Sequence, residues 1–238
     1  VTRESRRMDV MATGTVQPRR EISLTPEVSG RVTEVAADFI AGGFFRQGEV
    51  LFRIEEADYR LAVDRARAAL AKAEYDLAIM ESQARIARRE WELLDHGTES
   101  EPNPLVLYGP QLKNAEASLL SAKASLAQAR LDLERTVIRA PFNALVRAEA
   151  LDLGQYLRAG TSVATLAGSD RAEIIVPLTL DDLDWLRIPG RDGHGQGSEA
   201  VIRLASGDWR WQGKVVRTLG DVDPQGRMFR VVVAVDDP

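Results

Sequence analysis

The side chains able to do chemistry in this 238-residue chain are few and scattered. His96 and His194 are its two histidines. Each sits in a polar, glycine-bearing stretch, and neither has a second ligand at metal-binding spacing. Met8 and Met11 offer soft thioether donors near one terminus, but two such donors without an anchor fall short of a metal site. Asp181, Asp182 and Asp184 follow Thr179 and read as the acidic first turn of a capped helix, not as a catalytic carboxylate pair. Cysteine is absent, which removes disulfides, thiolate metal sites and cysteine nucleophiles together. Gly42-Gly43 and the glycines from Gly190 to Gly197 lack the lysine or the strand-to-helix setting of a phosphate cradle. The sequence therefore points to no catalytic residue, no cofactor and no metal site, and to a protein that acts through shape and contact.

Composition narrows the partners. A net charge of −5 with both signs interspersed gives no basic face for a phosphate backbone, so nucleic acid is not expected. The chain is 45% apolar and 28% charged, as soluble folded proteins are. No run approaches the roughly 20 apolar residues of a membrane-spanning helix, and no secretory leader is visible at the start. The length favours two or three small modules.

Two stretches share one grammar of short strands and tight turns. The first is Val28-Ser29-Gly30-Arg31-Val32 followed by Gly48-Glu49-Val50-Leu51-Phe52-Arg53-Ile54. The second, about a hundred residues later, runs from Ala140 to Val146 and from Gly154 to Leu166. Neither half has enough strands to bury an apolar face alone, so the two are expected to pack as one sandwich. Between them lie two helical segments. Val63, Ala66, Leu70, Ala73, Leu77, Met80, Ala84, Ala87, Trp91 and Leu94 alternate at spacings of three and four, which is a coiled-coil seam. Leu112, Ala115, Leu119, Ala122, Leu126, Ala129 and Leu133 repeat the rule in the return segment. Leucine facing alanine lets two antiparallel helices approach closely. The second helix also carries Ala117, Leu120, Ala124, Ala127 and Leu131, a stripe that one partner helix cannot cover, and this marks a face for neighbouring copies. The helices span about 38 and 26 residues, a difference of roughly 18 Å at about 1.5 Å per residue. The prolines of the segment 101–110 favour an extended connection lying back along the first helix, with Leu105, Leu107 or Tyr108 packed where the second is missing. The segment 171–238 has four alternating runs and the Thr179-capped helix, as a small barrel or sandwich would.

The ordered series Ser29-Gly30-Arg31-Val32, Gly48-Glu49-Val50-Leu51, Arg139-Ala140-Pro141-Phe142 and Gly154-Gln155 resembles the split lipoyl domain of the membrane fusion proteins, the HlyD-like adaptors, especially those serving resistance-nodulation-division pumps. The resemblance implies an elongated, modular α+β fold: a split lipoyl-like β-sandwich with an inserted antiparallel coiled-coil hairpin, plus a small β-barrel. The expected modules are 28–56 with 137–168 for the sandwich and 57–136 for the hairpin. The barrel is expected from 15–27 with 171–238, and 1–14 is expected to be part of an incomplete membrane-proximal domain. In lipoyl and biotinyl carriers a modified lysine sits on the turn joining the halves, whereas Glu55-Glu56-Ala57-Asp58 and the helices stand there in this chain. A carrier component is thereby the weaker alternative. The resemblance further implies a periplasmic, non-enzymatic efflux adaptor, held at the inner membrane by an N-terminal anchor. Its partners would be an inner-membrane pump, a TolC-like outer-membrane channel and further copies in a trimer or hexamer. An adaptor of an ATP-driven or type I secretion exporter is the neighbouring alternative. The family's tip pattern of arginine, leucine four positions on and serine seven further falls on Arg89, Leu93 and Ser100.

Overall fold

In a computed structural model, residues 8–94, 103–190, 195–204, 208–222, 228–236 and 238 are described. Alternating apolar residues make strands of Gly30–Val35 (β3) and Val50–Ile54 (β5), with the two-residue strand Phe44–Phe45 (β4) between them. Glu21–Leu24 (β2) precedes them, and Thr15–Pro18 (β1) precedes β2. The helices Ala57–Leu94 (α1) and Gly109–Glu134 (α2) follow. Then come Val137–Arg139 (β6), Ala144–Glu149 (β7), Tyr156–Leu157 (β8) and Ala164–Gly168 (β9).

The sandwich is an exchange between the two halves. One sheet has the order β2-β9-β7-β4 and the other β6-β5-β3-β8, all antiparallel. The central pair of each sheet comes from one half of the repeat and both edge strands from the other. Backbone hydrogen bonds occur in matched pairs. The Gly42 amide donates to the Val146 carbonyl and the Gly154 amide to that of Val32, at 2.8 and 2.9 Å. Gly48 likewise donates to Ala140 and Gly160 to Pro26, at 2.8 and 2.9 Å. Leu51, Phe52, Ile54, Val32, Ala144, Val146 and Leu166 fill the space between the sheets, with Phe39 against Phe45 and Phe52 at ring distances of 6.1 and 5.7 Å. Gly30 of the Ser-Gly-Arg-Val motif is needed for close approach, since a Cβ there would lie 2.5 Å from Ile54 Cγ2.

Within 15–27, the stretch expected in the barrel, the two strands go to different sheets. β1 pairs with Arg171–Leu178 (β10), whereas β2 pairs with β9 from Glu21↔Ala167 to Leu24↔Ala164. The reason is the repeat itself: each half has four strands, and β2 stands to β3 as β6 stands to β7. The crossing is at Arg19-Arg20, where the Arg19 amide donates to the Arg171 carbonyl and the Gly168 amide to the Arg20 carbonyl.

The third module is a five-stranded antiparallel sheet, a half-barrel among the described residues. Its order is β1, β10, Phe229–Asp236 (β13), Arg210–Val222 (β12) and Glu199–Arg203 (β11). The four alternating runs of the sequence become these last four strands in chain order. The short helix Leu180–Leu183 (α3) is capped by Thr179, whose Oγ1 accepts from the Asp182 amide at 3.3 Å. Leu183 and Ile188 pack with Ile174, Leu178, Val215, Val231 and Val233. Glu173 accepts two hydrogen bonds from Arg217 at 2.8 and 2.6 Å, and that guanidinium holds its carboxyl below the usual range. The expected segment 1–14 lies largely outside the described residues, as do His96 and His194.

Gly48 and Gly160 occupy matching turns with φ of 85° and 81°, and a Cβ at either would meet nothing within 4 Å. Their requirement is therefore purely conformational. Gly48→Ala and Gly160→Ala should each lower unfolding free energy by about 1–2 kcal/mol in urea titrations, and Asn at either position should cost less. Equal costs for Ala and Asn would contradict this account.

Candidate functional site

The candidate site is the helical hairpin together with its root on the sandwich. β5 enters α1 and α2 leaves into β6, and these two strands are neighbours: Arg53 pairs with Val137, and the Ile54 amide donates to the Thr136 carbonyl at 2.8 Å. The split halves thus close on each other, and the insertion is forced to return. Thr136 is fully buried, and its hydroxyl donates to the Leu133 carbonyl at 2.6 Å, closing the end of α2. The Tyr59 hydroxyl donates to the Ser29 carbonyl at 2.6 Å, linking the first turn of α1 to the sandwich. Arg135 pairs with Glu27 at 2.6 Å and Asp132 at 3.5 Å. Burial raises the Tyr59 phenol above its ordinary value, and the nearby carboxylates of Asp132 and Asp58 push the same way.

Along the hairpin the seam is as the spacing implies. Val63, Ala84, Ala115 and Leu126 are buried, while Ala66, Leu70, Leu77, Leu119, Ala122 and Leu133 are half-buried. The stripe Ala117, Leu120, Ala124, Ala127 and Leu131 is exposed throughout, Leu120 at 70% and Leu131 at 41%. Heptad geometry sets that stripe about 150° around α2 from the seam, so its residues point away from α1. Sequence reasoning missed the counterpart on α1: Leu61, Ala68, Tyr75 and Ile86 are also exposed. The signal was the seven-residue step from Leu61 to Ala68 to Tyr75, obscured by the charged residues between them.

Of the expected tip residues, Arg89 is exposed and lines a shallow groove with Glu81, Arg85, Arg88, Glu92 and Leu112. Leu93 is 72% exposed, a high value for an apolar side chain on a helix. Ser100 lies outside the described residues. The connection before α2 differs from expectation. Residues 103–108 are a compact set of turns, not an extended path, because Asn103 Oδ1 accepts from the Leu105 amide and the carbonyls of Asn103, Pro104 and Leu105 accept from Val106, Gly109 and Tyr108. Leu107 and Tyr108 are half-buried, as expected of two of the three named residues, while Leu105 is exposed.

A split lipoyl-like sandwich, an inserted helical hairpin and a half-barrel, interleaved in this order, define the architecture of a membrane fusion protein. The chain shares this fold with the HlyD-like membrane fusion proteins, to which it is similar. No family model matches the sequence. Nodulation protein NolF of Rhizobium meliloti is 25% identical over 229 residues, covering 96% of this chain and 59% of the relative. The multidrug resistance protein MdtA of Proteus mirabilis is 27% identical over 177 residues, covering 74% of this chain and 42% of the relative. The uncharacterized protein YdhJ of Escherichia coli is 29% identical over 195 residues, covering 82% and 63%. The chain thus spans between 42% and 63% of the length of these relatives. Among solved structures, the membrane fusion protein Spr0693 of Streptococcus pneumoniae superposes with a TM-score of 0.64 at 16% identity, covering 96% of this chain and 90% of that one. A MacA–MexA chimera containing the Pseudomonas aeruginosa MexA α-hairpin domain gives 0.62 at 18% identity, covering 95% and 74%.

Tyr59 supplies a pH test of the root. A phenol whose folded-state pKa lies above its unfolded value of about 10 contributes stability that is complete below that pH and lost as pH rises through the folded pKa. Tyr59→Phe should cost about 1 kcal/mol near neutrality through the lost hydrogen bond. The difference between parent and variant in urea titrations should shrink above about pH 10. A difference that stays constant across that range would show that Tyr59 does not couple hairpin to sandwich in this way.

Proposed function

We propose that this chain is the periplasmic part of a non-enzymatic adaptor that joins an inner-membrane pump, of the resistance-nodulation-division type, to a TolC-like outer-membrane channel. In this reading it assembles as a trimer or hexamer around the path of exported drugs, metal ions or other small molecules. The protein would be attached to the inner membrane through an N-terminal anchor. Among the described residues no helix is long and apolar enough to cross a membrane. The modules serve separate contacts: the half-barrel side faces the pump, and the hairpin tip faces the channel.

The observation that carries this reading is the exposure of large apolar residues on a hairpin whose own seam is already complete. Leu93 near the tip and Leu120 and Leu131 along α2 are left in water by the single chain, which is unfavourable unless partners cover them. The lipoyl-like sandwich supports the same view. Where a carrier domain would present a lysine on a tight turn, β5 runs through Glu55-Glu56 directly into α1. Arg89 suits the end of a partner helix, where a guanidinium can donate to terminal carbonyls or pair with carboxylates, and Leu93 adds apolar burial four residues on. Ser100 would complete the contact. The printed name of one relative, a multidrug resistance protein, agrees with an export role.

Two experiments test it. In the native host deleted for this gene, the double variant Arg89→Glu, Leu93→Ser should fail to restore resistance to the compounds that distinguish the deletion strain, while still co-purifying with the pump. Full resistance with this variant would remove the docking assignment. Leu120→Asn with Leu131→Asn should leave the circular dichroism and unfolding midpoint of the chain near those of the parent, because both residues lie off the seam. It should shift the oligomer toward monomer in sedimentation. Unfolding of the monomer would instead place the stripe in its core.

A further inference from the structure

Ser29 and Asn143 hold equivalent places in the two halves of the sandwich: Ser29 is the residue before β3, and Asn143 the residue before β7. Each reaches across to a turn of the other half. Ser29 Oγ accepts from the Ala159 amide at 2.9 Å, and Asn143 Oδ1 accepts from the Gln47 amide at 2.8 Å. Ala159 and Gln47 are matched in turn, each standing one residue before the left-handed glycine of its own loop, Gly160 and Gly48.

The same two residues also hold the chain where it leaves the sandwich. The first half leaves into the hairpin, and there the Ser29 carbonyl accepts from the Tyr59 hydroxyl at 2.6 Å, in the first turn of α1. The second half leaves into the half-barrel through Ser169-Asp170, between β9 and β10. Here Asn143 bonds two consecutive residues. Its carbonyl accepts from the Ser169 amide at 2.9 Å, and its Nδ2 donates to Asp170 Oδ1 at 2.6 Å. Bonds to two neighbouring residues fix the direction in which the chain departs, where one bond would leave a pivot. The residue type follows from this geometry. The Gln47 amide can only donate and an ionised carboxylate can only accept, so the side chain between them must accept on one atom and donate on another. A carboxamide does both. A carboxylate has no donor, and its charge would face that of Asp170.

The tie matters because the chain crosses between sandwich and half-barrel twice, at Arg19-Arg20 and at Ser169-Asp170. Two crossings leave an axis about which a module can swing, and the bond from Asn143 to Asp170 opposes that swing at one of them. Resting on the adaptor reading for its consequence, we infer that Asn143 is the positioning residue of the half-barrel, as Ser29 with Tyr59 is of the hairpin. One matched pair of sandwich residues then sets the angles of the pump-facing and channel-facing modules.

The chain has no cysteine, so spin labels can be placed in pairs at exposed positions. Ala148→Cys in the sandwich with Val201→Cys in the half-barrel reports one angle, and Ala148→Cys with Ala71→Cys in α1 reports the other. Labelled chain is diluted with unlabelled chain, so that pulsed dipolar spectroscopy reads distances within one copy. Each pair should give a single narrow distance in the parent. Asp170→Ala should cost the first pair that narrow distance and leave the second unchanged, and Asn143→Asp should do the same. Combining Asn143→Asp with Asp170→Asn exchanges donor and acceptor: the carboxylate at 143 still accepts from Gln47 and now accepts from the amide at 170. The narrow distance should return. Tyr59→Phe should broaden the second pair alone. Asp170 is exposed, so Asp170→Ala decides the matter even where Asn143→Asp fails to fold. A first-pair distance that stays narrow in Asp170→Ala would overturn the inference, as would a folded exchange variant whose distance stays broad. Co-purification of the full-length protein with pump and channel is read separately: its failure would remove the adaptor reading and leave the measured angles as they are.

Discussion

The pairing of β5 with β6 is the constraint on which the rest of the molecule depends. The insertion begins after one of these strands and ends before the other, and neighbouring strands are about 4.8 Å apart. Whatever lies between must leave the sandwich and return to nearly the same point. Two helices of an antiparallel coiled coil, with axes about 8–10 Å apart, meet that condition with little more than the two-residue link Glu55-Glu56 at one end and Arg135-Thr136 at the other. The hydrogen bond from the Ile54 amide to the Thr136 carbonyl joins the end of β5 to the residue before β6, at the root of the hairpin. Because loop-closure entropy grows only slowly with length, a hairpin of almost any length can be carried at this place without disturbing the sheets.

The exchange of strands gives the sandwich its own coupling. Each half places its edge strands in the sheet centred on the other half, so neither can be ordered alone, and the matched bonds of Gly42 with Gly154 and of Gly48 with Gly160 tie the two turns to the opposite half. Folding of the sandwich thus requires residues more than a hundred positions apart to meet, a large loop-closure cost early in folding. The hairpin eases that cost, since the two helices can form locally and bring the halves together. The seam of alternating leucine and alanine buries modest area, so the polar ties at the root, Tyr59 to Ser29 and Arg135 to Glu27, matter for the angle at which the hairpin leaves the sandwich.

Much of this was legible in the sequence because two physical periods were strong. The seam of α1 and α2 was readable from the three-four spacing, and its side chains turn inward as that spacing requires. The strands of the half-barrel were readable from alternation, and α3 from Thr179 and the acidic turn after it. β2 was not legible. Its four residues follow β1 with only Arg19-Arg20 between them, and no glycine or proline follows Pro18 to mark a change of sheet. Its place is fixed by the four-strand repeat, and the repeat becomes visible only when its partner β6 is seen beside β5. The compact turns at 103–108 were misread for a related reason. Prolines exclude helix, but they do not choose between an extended chain and a turn, and the Asn103 side chain makes that choice. The α1 edge escaped notice because seven positive and seven negative side chains are spread over that helix and hide a stripe of four apolar residues.

The sheets and the hairpin differ in which side chains remain uncovered after the chain has satisfied its own sheets and seam. Glu173 with Arg217 and Arg147 with Glu21 show the opposite case: charges on the sheets find partners within the chain. On the hairpin the apolar edges do not, although burying even two leucines would contribute about 3–6 kcal/mol per copy before the costs of association. A folded monomer could exchange these exposed leucines for glutamate or lysine without loss to its own packing. Such residues lie on the outer edges of the two helices and not around the whole hairpin. Toward its far end α1 becomes rich in arginine, with Arg85, Arg88 and Arg89, and Leu93 beyond them is left in water.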